Sequence, residues 1–263
     1  MTGTIGIITN DKRQVFQHDI IEGVSAVVAD SYTVLISSLD EEGNQPLDID
    51  TLDGILVIAN VLSHDELQTL YETGKPITLV SHQEPDLPIP AVVQNNRDGM
   101  LKLVNYIVEE CGRREIVFIR GDMNQHDGQQ RDMIFQMGLM QHDLTNPNNY
   151  NLVGDFDAVT ATNSMMEFLD SGKSFDAVIA SDYLMGCGVL DLMRFYEIDI
   201  PNDVSIVAFG DGAEALDMGL TVAGVDVIEL GKRSARQLLS QIEGAKISGI
   251  TWLNTDLIVR DSS

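Results

Sequence analysis

Short apolar runs alternate with helix-length amphipathic segments along most of the chain. Residues 4–8 read as a buried strand. Residues 15–29 carry Phe16, Ile20, Val24, Val27 and Val28 at helical spacing. Strands are expected at 32–37, 54–58, 76–80 and 91–93. A helix between the third and fourth opens at Ser63, with Glu66 at the capping-box position, and stops at Gly74. The rhythm then restarts. Helices are expected at 99–110, 129–140, 159–169 and 185–196, with strands at 115–119, 150–153, 175–180 and 204–209 between and after them. Late in the chain, 231–242 reads as a helix and 252–259 as a strand.

Repeated strand–helix–strand units with apolar strands imply α/β architecture: parallel sheets covered by helices on both faces. Two such runs predict two Rossmann-like lobes rather than one very wide sheet. The late elements are too few for a third domain, so they must complete the existing lobes. A chain that crosses between lobes more than once predicts a hinged pair with an interlobe cleft, the architecture of a binding protein.

Composition narrows this. Apolar residues make up 44% of the 263, enough for a substantial core, while aromatics are only 6%. The formal net charge of −25 repels phosphate backbones, so this chain alone is not expected to bind nucleic acid. Cys111 and Cys187 have no metal-like or redox-like spacing and read as reduced thiols of a cytoplasmic protein. No apolar run approaches bilayer length, and the N-terminus lacks the basic region of a signal peptide.

Catalytic and cofactor patterns do not complete. Gly210-Asp211-Gly212 and Gly186-Cys187-Gly188 lack the rest of a phosphate loop, and no Gly-x-Ser-x-Gly elbow occurs. The five histidines avoid the spacings that place two metal ligands on one helical face. No cofactor, no metal and no enzymatic activity are therefore expected. What remains is polar residues at strand ends: Asp11, Gln14, Asn60, Ser81 and His82 in the first half, and Arg120, Ser181, Asp182, Gly210 and Asp211 in the second. Open α/β sheets bind ligands at such positions.

These residues carry a family likeness. The stretch 201–211, Pro-Asn-Asp-Val-Ser-Ile-Val-Ala-Phe-Gly-Asp, resembles a signature of the lac and gal repressor family. So do 175–182 with 184–190, 112–119, 93–96, 229–235 and the ending 257–262, in order over the chain. The resemblance implies the type I periplasmic-binding-protein fold, with a small-molecule effector held between the lobes. It places the crossings near 94–96, 224–226 and 249–250, so that 1–94 with 226–249 form one lobe and 95–225 with 250–263 the other. It also implies a homodimer and a separate output domain, because the family's helix-turn-helix is not among these residues. The 118–121 stretch and the acidic, Gln-rich run to Arg131 also resemble sensor modules set before cyclase or kinase domains. A periplasmic solute-binding protein of the same fold is the further alternative.

Carried over residue by residue, the family pocket falls on several positions. Arg131 matches the arginine that commonly holds a sugar or purine effector, and Phe16 and Phe156 match aromatic walls. Ser181 precedes Asp182 where Asn or Ala is usual. Ser81, followed by His82, and Gly210, followed by Asp211, stand where family carboxylates usually work. Ile134 replaces a frequent Gly. Two missing acceptors argue against a sugar gripped by acidic residues.

Overall fold

The computed structural model describes residues 3–39, 46–147 and 150–263. In chain order the elements are β1 (Gly3–Thr9), α1 (Val15–Val28), β2 (Tyr32–Ser38), β3 (Gly54–Ile58), α2 (His64–Glu72), β4 (Ile77–Val80), β5 (Ala91–Gln94) and α3 (Asn96–Asn105). There follow β6 (Ile116–Arg120), α4 (His126–Gln141), β7 (Asn151–Val153), α5 (Ala158–Asp170), β8 (Ala177–Ala180) and α6 (Tyr183–Phe195). The last are β9 (Ser205–Phe209), α7 (Ala213–Met218), β10 (Thr221–Gly224), α8 (Val227–Ile242), β11 (Ile250–Leu253) and β12 (Asp256–Ile258). A single wide π turn, Tyr106–Glu110, extends α3.

The chain forms two compact units, Met1–Gln94 with Asp226–Leu253 and Asn95–Val225 with Asn254–Ser263. In the first, the sheet runs β11-β5-β4-β3-β1-β2, with every pairing parallel. Alternate strand residues feed opposite faces: Ile5, Ile7, Leu56 and Ile58 pack under α1 and α8, whereas Ile8, Ile55 and Val57 pack with Leu67 and Leu70 of α2. Helices α1 and α8 meet through glycine. A Cβ on Gly23 would lie 2.1 Å from the Ile228 carbonyl oxygen, and one on Gly231 would lie 2.2 Å from that of Ile20. Ser63 and Glu66 form the expected capping box.

The second unit repeats the plan, β12-β10-β9-β8-β6-β7, parallel except for the antiparallel β10–β12 pair. Phe118 and Phe135 stack at 4.2 Å in the core beneath α3 and α4, and Val117, Ile119 and Val178 pack with α5 and α6 on the other face. Two of the family-like stretches are structural braces. Arg113 donates to the carbonyls of Pro201, Asn202 and Asp203 and to Ser205 Oγ, fixing the loop before β9. Asp176 accepts from the Arg114 and Glu115 backbone amides.

Several element boundaries differ from the sequence expectation. Residues 252–259 are not one strand: β11 joins the first sheet and β12 the second, with the chain passing over at Asn254. The turn is held by Asp98, which accepts from the Thr255 amide and hydroxyl, and by Lys102, which donates to the Thr255 carbonyl. Residues 250–253 thus belong to the first unit, and Gly249, at φ +81, is only the turn into β11. Caps also start helices earlier than their apolar stripes suggest: Asp226 caps α8 at Val227 and Asn95 caps α3 at Asn96. The six-residue α7 is too short to show a helical period, and β10, Thr-Val-Ala-Gly, carries only one large apolar residue to mark it as a strand.

Candidate functional site

Both sheets have the doubly wound order in which the connections reverse beside the first strand. The carboxyl ends of the two strands at that reversal are where such folds take ligands. In the second unit these strands are β6 and β8. Ser181 and Asp182 follow β8, and Arg131 reaches them from α4.

Arg131 is buried, and three of its N–H donors are used. Nε donates to Asn96 Oδ1 (3.0 Å), one terminal nitrogen to the Ser181 carbonyl (2.7 Å), and the other to Asp127 Oδ2 (3.1 Å). The guanidinium carbon lies 4.0 Å from the Phe209 ring centre and 5.5 Å from that of Phe156. Phe156 is positioned by a strained turn, with Asp155 and Phe156 both in the left-handed region at φ +52 and +58. Its ring lies on Gly121, where a Cβ would come within 2.2 Å of it. That glycine is required by the aromatic wall.

Asp182 caps α6 through the Leu184 and Met185 amides. Burial pushes its carboxyl above the usual range, opposed by the Arg131 charge and by those amide bonds. The Ser181 side chain is fully buried and its Oγ has no partner. The Nε of Arg120, at the end of β6, is likewise buried without one. Asp211 accepts from Arg260 (2.8 Å) and from the Gly212 amide. At Gly210, φ is +87 and Tyr183 packs alongside, so this backbone favours glycine where the family has a carboxylate. Ile134 is a core residue packed with Phe135 and Leu139.

In the first unit, Ser81 stands at φ +62 at the end of β4, its amide donating to the Val92 carbonyl. His82 is buried with Nδ1 3.3 Å from the Val80 carbonyl. Phe16 is half-buried against the core formed by Ile5, Ile7 and Ile20. Its neighbour Gln17 is the more buried of the two, donating to Asn10 Oδ1 (2.9 Å) and leaving Oε1 without a partner. Asp11 is tied to Arg13, which holds its carboxyl down at about 2. A cavity of about 340 Å³ in this unit is lined by Ile8, Ile49, Leu62 and residues of α2, and none of the candidate residues lines it. The fold also gathers His18, Asp19 and Glu22, and His64, Glu84 and Asp86, into groups of potential metal ligands. The second group is non-local and invisible to spacing.

Sequence reasoning missed Asn96, Asp127 and Phe209 in the Arg131 cluster and Gln17 in the first unit. Asp127 had a signal, its i,i+4 spacing to Arg131. That signal was lost because the helix was expected to begin only at Gln129.

A family model described as a periplasmic binding protein-like domain matches residues 107–263. The chain belongs to that family. Among relatives of this periplasmic-binding-protein-like domain, a probable HTH-type transcriptional repressor, ExuR of Bacillus subtilis, is 24% identical over 98% of this chain and 80% of its own length. A putative LacI transcriptional regulator from Bacillus cereus subsp. cytotoxis superposes with TM-score 0.86 at 22% identity, covering 100% of this chain and 99% of that one. The lac repressor dimer bound to operator and the anti-inducer ONPF superposes equally, 0.86 at 17% identity over 100% and 94%. The two-lobed architecture of mostly parallel α/β sheets is that of these regulators. Among the described residues no helix is long and apolar enough to cross a membrane.

Proposed function

We propose that this chain is the ligand-sensing part of a lac-repressor-type regulator. It takes a small polar effector, a sugar, nucleoside or similar molecule, at the strand ends around Arg131. One observation carries the reading: a buried arginine, two aromatic rings and an unsatisfied buried serine hydroxyl converge where this fold binds ligands. Ser181, Asp182 and Phe156 are the proposed contacts beside Arg131, Asp211 is a further proposed contact in the same unit, and Phe16, Ser81 and His82 are proposed contacts in the first unit. The chain passes between units after Gln94, Val225 and Leu253. We propose these passages as hinges over which effector binding shifts an open–closed equilibrium, driven by its differential affinity for the two states. The output is transcriptional, in a cytoplasmic homodimer and through a further DNA-binding domain. Repressor names among the relatives and the operator-bound dimer among the structural neighbours support this over a catalytic role.

Thermal-shift screening against sugars, nucleosides and purines tests the reading. A stabilising compound is expected, and Arg131→Ala should abolish its shift. A shift that survives this substitution places the site elsewhere.

A further inference from the structure

The charge balance around Arg131 carries a second conclusion, resting on the reading that this cluster receives the effector. A solitary buried guanidinium would recruit a carboxylate or phosphate. This one is already matched. Asp127, one helical turn earlier on α4, accepts from Arg131 through Oδ2 at 3.1 Å and from Asn96 through Oδ1 at 2.8 Å. Both carboxylate oxygens are therefore engaged, and the side chain is about a quarter exposed, at 27%. Asp182 supplies a second carboxyl to the same cluster. The other cations at these strand ends have acidic neighbours too: Arg260 pairs with Asp211 at 2.8 Å, and the charge of Arg120 acts on Asp132. The two ion pairs described here, Arg131–Asp127 and Arg260–Asp211, each carry their own counter-charge. Among the described residues of this cluster, the buried groups lacking partners are a neutral hydroxyl, Ser181 Oγ, and Arg120 Nε, and Arg131 keeps two N–H donors beyond the three in use. They ask for hydroxyl, carbonyl or ring-nitrogen partners.

We infer that Asp127 is a resident counter-ion that sets the effector's charge class: the site takes uncharged hydroxylated molecules and rejects their carboxylated or phosphorylated analogues. An anion entering here would have to displace Asp127 from Arg131 or share that one guanidinium with the Asp127 carboxylate. Either course carries a large desolvation or repulsion cost at a buried site. Phe156, which is partly exposed, adds apolar surface that a sugar or base face can cover without bringing charge.

The test is calorimetric titration with matched pairs: galactose against galacturonate and galactose 6-phosphate, ribose against ribose 5-phosphate, adenosine against AMP. Wild-type protein should bind a neutral member at least on the order of tenfold more tightly than its anionic partner. Asp127→Asn, which keeps side-chain size while freeing the Arg131 charge, should shrink that ratio to near unity or invert it. Asp127→Glu should retain it. Circular dichroism and melting temperature establish that each variant is folded. An anion bound by the wild type as tightly as its neutral partner overturns the inference alone, as does a ratio unchanged in Asp127→Asn. Failure of every compound in both sets, and of the wider thermal-shift screen, overturns the effector reading and this inference with it.

Discussion

Adding a single methyl group at Gly23 is expected to destabilise the first unit through its closest helix contact. The new Cβ would sit 2.1 Å from the Ile228 carbonyl oxygen and 3.0 Å from the Lys232 nitrogen. Cβ contacts below 3.0 Å are essentially absent from real proteins, so α1 and α8 must separate by about 0.9 Å. The obstacle is main chain in the first turn of α8, and it cannot rotate aside as a side chain could. Overpacking costs roughly 1–3 kcal/mol, more when backbone must move, and this site falls at the top of that range. Alanine returns about 1 kcal/mol of helix propensity. The net expectation for Gly23→Ala is a loss of about 2 kcal/mol, a factor of about 30 in the folding equilibrium. The chain has one tryptophan, Trp252 in β11, so urea unfolding followed by its fluorescence reports on this unit. Gly231→Ala should behave alike, since its Cβ meets the Ile20 carbonyl at 2.2 Å. Because one separation of the helices relieves both clashes, the double variant should cost clearly less than the two single losses added together. A Gly23→Ala protein with an unchanged or raised urea midpoint at the same slope would refute the close-contact argument. So would strict additivity. The consequence reaches the site, because α1 carries Phe16 and Gln17 on its first turn.

Two further outcomes follow from the ionisable groups of the second unit. Asp182, its carboxyl raised by burial, is protonated more readily folded than unfolded, so its contribution is full below the unfolded value and lost as pH rises through the folded one. Asp182→Asn keeps a capping oxygen, so calorimetric melts should show it gaining stability relative to wild type as pH rises from 3 to 7; a gain that is constant with pH would contradict this. Cys187, buried near Glu214 and Asp182, has its thiol pushed up to about 12. In native protein an aromatic disulfide reagent should therefore label the half-buried Cys111 and leave Cys187 untouched until denaturant is added, and prompt labelling of both would argue against that burial.

The sequence alone determined the architecture. Strand runs such as Ile5–Ile8 and Val204–Phe209 are apolar on both faces, as only strands sandwiched between helix layers can be. The doubling of the pattern announced two units. Arg131 and Phe156, which the structure gathers into one cluster, were legible through family-like positions, and Ser181 and Asp182 from their place at a strand end. What tertiary structure decided lies in contacts between distant segments. Residues 252–259 carry one continuous β-like pattern, yet pairing with β5 and with β10 divides it between two sheets, and Asp98 and Lys102, more than 150 positions earlier, hold the turn between them. Gly23 and Gly231 are unremarkable in their helices until each is seen against the other helix's backbone. The charge state of the Arg131 cluster was equally hidden. In a chain with 41 acidic residues, no spacing rule singles out Asp127. It becomes a counter-ion because α4 begins at His126 and turns its first-turn carboxylate toward Arg131 and Asn96. Local periodicity reports which face of an element is buried. Which polar groups meet on that buried side depends on packing, and packing is a property of the whole chain.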